Sequence, residues 1–286
     1  MERQPDGRFV AALACEGRVR VMAVVAVGPA EELRLRHGLS GHAATVAAEG
    51  LIASLLLSAH VKGEERLTIN VRAERPDFSF LADVNGDGTL RARFTPDRLG
   101  PLVGAHTPTF SGILSVLKSL GPRELYKGVA EVKRERFEGA LQRYLTSSQQ
   151  VDGRVRIQAA LDADGKIAFA AGLLVERLPD FPAEEFAAVF DAPLKGDFKA
   201  LMTQFAFGQL AGGAIEVLGA RDVRYQCTCS RDRVVGMLKA LGHEEIASLL
   251  AEQGQAEVSC HYCNTRYVID AEGLGDLLLE LNGPPS

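Results

Sequence analysis

The sequence predicts an α+β protein in three parts: an N-terminal domain over residues 1–178, a helical linker over 179–221 and a small C-terminal α/β unit over 222–286. Three observations carry that division. Alternating apolar runs paired across tight turns fill the first part. Pro179 and Pro182 then interrupt any regular element. Four of the five cysteines lie in the last sixty residues.

The elements follow in order. Residues 8–15 and 18–27 read as strands around a Glu16-Gly17 turn. Residues 41–61 are apolar but diluted by Ala, Gly and Ser, with Glu49 at the centre. A bilayer span prefers about twenty strongly apolar residues, so the segment reads as a buried helix of a soluble domain. Residues 67–73 alternate as a half-buried strand does. Residues 78–84 and 89–94 flank Asn85-Gly86-Asp87-Gly88, a strong hairpin signal. Residues 133–147 read as a helix, and 155–161 with 166–175 as a second hairpin. In the linker, 183–190 and 196–210 read as helices. Phe198, Leu201, Met202 and Phe205 form an apolar stripe at helical spacing that needs a partner surface. Glycines at 208, 212 and 213 weaken that run. In the third part Ser230 caps a helix running to Leu241, and a second helix runs over 243–252. Strands at 256–259 and 266–269 flank Cys260-His261-Tyr262-Cys263, and a Leu-rich helix closes the chain.

Composition narrows the function classes. Apolar residues make up 47% of the chain, enough for a sizeable core. The net charge of −5 offers no basic footprint for nucleic acid or anionic membrane. The first apolar stretch is broken by Glu16, Arg18 and Arg20, so it is not a signal peptide, and a cytoplasmic protein is expected. In that compartment clustered cysteines serve metal or redox chemistry rather than stabilising disulfides.

Cys227-Thr228-Cys229 and Cys260-His261-Tyr262-Cys263 are separated by thirty residues. Four thiolates suit one tetrahedral Zn²⁺. A unit this small is marginal without a staple, and zinc supplies on the order of 10 kcal/mol to such modules. A purely structural clip is the plain alternative. The first couple argues for more: it is C-x-C rather than the C-x-x-C of ordinary zinc ribbons. Oxidation to Cys227–Cys229 and Cys260–Cys263 disulfides would exchange one long-range tie for two tiny loops, which constrain the unfolded chain little. The unit should then unfold, and the stripe of Phe198, Leu201, Met202 and Phe205 should lose its cover and bind clients.

The residues Cys227-Thr228-Cys229-Ser230-Arg231-Asp232-Arg233, Leu241-Gly242-His243-Glu244-Glu245 and Cys260-His261-Tyr262-Cys263-Asn264 resemble the redox-regulated bacterial heat-shock holdases, the 33 kDa chaperonins. A looser likeness runs the length of the chain. The resemblance implies sheets around a buried helix, a helical linker and a zinc switch domain. It implies ATP-independent binding of unfolding proteins under oxidative stress, and a dimer in the activated form.

Weaker signals have plainer readings. Asp83, Asn85 and Asp87 match half of a calcium loop, but Phe94 stands where a bidentate Glu is needed. Cys15 reads as an inert core residue, and His261 as exposed. Arg231 and Arg233 could offset the charge of a four-thiolate centre. No Ser-His-Asp set, phosphate loop or carboxylate pair suggests an enzyme. Two alternatives compete. A zinc-ribbon nucleic-acid binder is disfavoured because residues 222–270 carry five Lys or Arg against seven Asp or Glu. A thiol-disulfide oxidoreductase needs its C-x-x-C at a helix start, and here the pair lies between strands.

Overall fold

The computed structural model describes residues 7–99, 108–194, 197–199, 202 and 215–282. The chain divides into two compact units, Met1–Gln226 and Cys227–Ser286.

The first unit opens with β1 (Arg8–Ala14), β2 (Val19–Val25), α1 (Val27–Arg36) and α2 (His42–Leu57). There follow β3 (Glu65–Arg75), β4 (Asp77–Asn85), β5 (Thr89–Thr95), β6 (Phe110–Leu120), β7 (Arg123–Glu135) and α3 (Phe137–Ser148). It closes with β8 (Gly153–Leu161), β9 (Ile167–Arg177), α4 (Ala183–Leu194), β10 (Glu216–Asp222) and β11 (Arg224–Tyr225). The strands form two sheets, ordered β10-β1-β2-β9-β8 and β11-β5-β4-β3-β6-β7. Among the described residues all ladders of this unit are antiparallel except the short β11–β5 pair.

Helix α2 packs against strands of both sheets. Fourteen of its sixteen residues are buried, so it is a core helix and has no polar face. Among the described residues, one helix, His42–His60, is long and apolar enough to cross a membrane by length and composition, and 83% of that window is buried inside the protein. Glu49 at its centre is ion-paired to Arg136, which precedes α3. Gly50 permits the close approach of α2 to its neighbours: a Cβ there would stand 2.8 Å from the Phe137 ring and 3.0 Å from that of Phe80. Around that point Phe78, Phe94, Phe110 and Phe137 pack ring against ring.

The other face of the five-stranded sheet is also apolar. Val19, Val21, Phe169, Leu173 and Val175 cluster there with Phe181, Phe186, Phe198 and Met202 from the segment after β9. Strand β9, central in the sheet, is therefore buried on both faces, which explains its near-continuous apolar run.

The second unit holds α5 (Arg231–Leu241), α6 (His243–Gln253), β12 (Ala256–Ser259), β13 (Arg266–Ile269) and α7 (Ala271–Asn282). Its core is small: Val234, Leu238, Ile246, Ala256, Ile269, Leu274 and Leu277. Ser230 caps α5 by accepting from the Arg233 N–H at 3.3 Å, and Gly254 ends α6 in the left-handed region.

Several sequence expectations need correction. The helix expected at 133–147 begins only at Phe137, because β7 runs to Glu135. Strands β6 and β7 escape the periodicity reading. The inward positions of β7 are Gly128, Ala130 and Val132, too small for strong contrast. Within the stretch read as helical linker, residues 216–221 are instead strand β10 paired with β1. Cys15 is not inside a strand but at the β1–β2 turn, half-buried and with φ of 50°.

Candidate metal centre

Two short segments build the site. The first is the irregular stretch Cys227-Thr228-Cys229 just before the Ser230 cap. The second is the turn between β12 and β13. There the Asn264 N–H donates to the Cys260 carbonyl at 2.8 Å and the Cys260 N–H to the Thr265 carbonyl at 2.9 Å. Asn264 takes the positive φ that this tight turn requires, a conformation Asn tolerates better than most residues.

These segments bring together all four predicted cysteines. Their Sγ atoms lie within 4.8 Å of one another. Cys227 and Cys260 are 3.7 Å apart, and Cys229 and Cys263 are 3.3 Å apart. A disulfide would be ~2.05 Å, so these are free thiols. The edge of a sulfur tetrahedron around an ion at ~2.3 Å is about 3.8 Å, so the spacing fits a four-thiolate metal site. Cys263 is buried and the other three are half-buried.

The electrostatics point the same way. Burial, reinforced by the neighbouring sulfurs, pushes the Cys227 thiol up to about 12. Burial also raises Cys229, against the hydroxyl that Tyr267 donates to its Sγ at 3.1 Å. Cys263 moves the other way. Burial opposes its ionisation, but hydrogen bonds from the Thr265 hydroxyl and backbone N–H bring it down to about 6. Four sulfurs this close cannot all ionise unaided. A divalent cation would let all four serve as thiolates.

The surrounding residues hold the two segments in place. Arg233 donates to the Thr228 hydroxyl at 2.9 Å, and Arg231 donates to the Val268 carbonyl at 2.8 Å. The two arginines thus make local ties within the unit. His261 is exposed and stands outside the sulfur cluster. Sequence reasoning missed Tyr267 and Thr265, both in contact with sulfur. Strand alternation held the signal for Tyr267, which shares a strand face with the buried Ile269. Of the expected client-binding stripe, Phe198 and Met202 are buried in the first unit, while Leu201 and Phe205 lie outside the described residues.

The family model described as Hsp33 protein matches residues 7–270. The chain belongs to the Hsp33 family. The 33 kDa chaperonin of Bacillus subtilis strain 168 is 30% identical over 282 residues, covering 94% of this chain and 97% of that protein. That of Bacillus licheniformis is 30% identical over 286 residues, covering 96% and 99%. The crystal structure of the 33 kDa chaperonin from Thermotoga maritima superposes with a TM-score of 0.83 at 23% identity, covering 96% of this chain and 98% of that one, so the Hsp33 fold is shared.

Proposed function

We propose that this Hsp33-family chain is a cytoplasmic, redox-regulated, ATP-independent holdase. It holds one zinc through Cys227, Cys229, Cys260 and Cys263 when reduced, and captures unfolding proteins when those thiols are oxidised. The observation that carries this reading is the sulfur cluster, which ties Cys227 to Cys260 and Cys229 to Cys263 across more than thirty residues of a unit with few core side chains. Bound zinc supplies folding free energy to that unit. The relatives named chaperonins support a client-binding role.

Peroxide removes two electrons from each cysteine pair. One thiolate attacks the peroxide and becomes a sulfenic acid, releasing water or hydroxide. The second thiolate attacks that sulfur, forming the S–S bond and releasing the oxygen as water or hydroxide. Two pairs consume two peroxides. Which pairs form decides the mechanics. Disulfides Cys227–Cys260 and Cys229–Cys263 would preserve the long-range tie. Cys227–Cys229 and Cys260–Cys263 would release it. The reading requires the second outcome.

Release matters because of what covers the first unit. Phe181, Phe186, Phe198 and Met202 lie on the five-stranded sheet. The three phenylalanines alone account for on the order of 500 Å² of contact, comparable to the largest apolar patches that soluble monomers expose. Uncovering this face offers a surface for unfolded clients, and for a second activated chain.

The test is peroxide treatment with three readouts: bound zinc, a disulfide map and suppression of client aggregation. Loss of about one zinc per chain, local disulfides and gained suppression are expected. Full suppression by the reduced, zinc-bound protein would remove the switch. Catalytic turnover of disulfides would favour the oxidoreductase reading.

A further inference from the structure

Strand β10 closes one edge of the five-stranded sheet and buries almost nothing. Residues 216–220 are all exposed, with Val217 at 62% and Leu218 at 54%. Its ladder to β1 is broken between Ala11 and Ala12, where Ala11 faces Gly219 and Ala12 faces Val217. Leu218 therefore falls at the irregularity, and Gly219 adds no side chain. Backbone hydrogen bonds alone contribute little once the entropy of ordering the strand is counted.

The other end of the same segment is anchored. Arg221 donates to the Ser58 carbonyl at 3.1 Å and to its hydroxyl at 2.6 Å, and its guanidinium sits 4.4 Å over the Phe9 ring. Val223 is buried, and the Tyr225 hydroxyl donates to the Ala92 carbonyl at 2.7 Å. Weak pairing thus ends abruptly at a firm anchor. Beneath the weak part lies β1, whose Phe9, Ala12 and Ala14 are buried, so β1 stays fixed if β10 leaves.

We propose that residues 216–220 peel from β1 as far as Arg221, and that the freed β1 edge accepts an extended segment of a client as a replacement strand. This rests on the client-binding reading above. The occupant is an unfolded polypeptide in β conformation, because the strand now seated there is held by main-chain bonds with no buried side chain. Such recognition is nearly independent of sequence, as a general holdase requires.

Amide hydrogen exchange on the full chain tests this, with reduced carboxymethylated α-lactalbumin as a permanently unfolded probe. In an antiparallel strand alternate amides serve each neighbour. Oxidation should cut protection at 216–220 by about tenfold or more, and spare 221–225. The amides of residues 10–13 of β1 that point to β10 should lose protection with it. Adding the probe should restore those β1 amides but not 216–220. Zinc release and aggregation suppression are followed in the same samples. If both occur and the β1 amides stay unprotected with probe bound, this inference fails and the holdase reading stands. If neither occurs, both fail. A variant, Val217→Pro, weakens the covering strand at an exposed position. The oxidised variant should bind the probe several-fold more tightly, and equal or weaker binding would overturn the proposal.

Discussion

The two units of this chain differ in how much core they bury. The first buries a sixteen-residue helix against two sheets and packs five phenylalanines around it. Among the described residues, the second has seven buried apolar residues in its core and a cluster of four sulfurs. Burial persists as long as solvent is water. On the reading proposed above, the second unit also depends on metal ligation, which persists only as long as the thiols are reduced. On the proposed reading, a chain built of both loses one unit to a chemical signal and keeps the other.

The sharpest way to break this comparison is to remove the metal. Chelation, or Cys229→Ser, should withdraw on the order of 10 kcal/mol from the second unit and unfold it. The first unit should keep its exchange protection. A second unit that stays folded without metal would show that its small core suffices. The converse is Phe80→Ala, which empties a buried site against Gly50 and Phe137. It should cost about 3–5 kcal/mol in denaturant unfolding of the first unit and leave metal stoichiometry at its wild-type value. Simultaneous loss of metal would mean the two units are not energetically separable.

Smaller changes sharpen the picture. Tyr267→Phe removes the hydroxyl donated to Cys229. Metal affinity measured against a competing chelator should fall about 10–100-fold. An unchanged affinity would make that hydrogen bond incidental. Ser230→Ala removes the α5 cap and should cost about 1 kcal/mol in the thermal unfolding of the metal-bound second unit.

Much of the site was legible because its chemistry is local. Two cysteine couples, a capping serine and two short alternating strands are recognisable in runs of a few residues, and both strands fall at the expected positions. The contact of Tyr267 with Cys229 spans 38 residues and depends on which face of β13 meets the cluster. The first unit was legible where turns are strong, as at Asn85-Gly86-Asp87-Gly88. It failed where inward residues are small, as in β7, and where a strand buries nothing, as in β10. Hydrophobic periodicity cannot announce a strand whose residues 216–220 are all exposed. Glu49 was visible as an anomaly in an apolar run, but its partner Arg136 lies 87 residues away.

The aromatic cover on the five-stranded sheet has a kinetic consequence. Phe181, Phe186 and Phe198 belong to the same chain as the sheet they cover, so they act as a tethered competitor. Short tethers give effective concentrations on the order of millimolar. A free polypeptide at micromolar concentration faces about a thousandfold handicap, or about 4 kcal/mol, for the same surface. On the reading proposed above, restoring the thiols need not push a client off. It need only make the tethered segment foldable again, and mass action within one molecule then returns the sheet to its own chain.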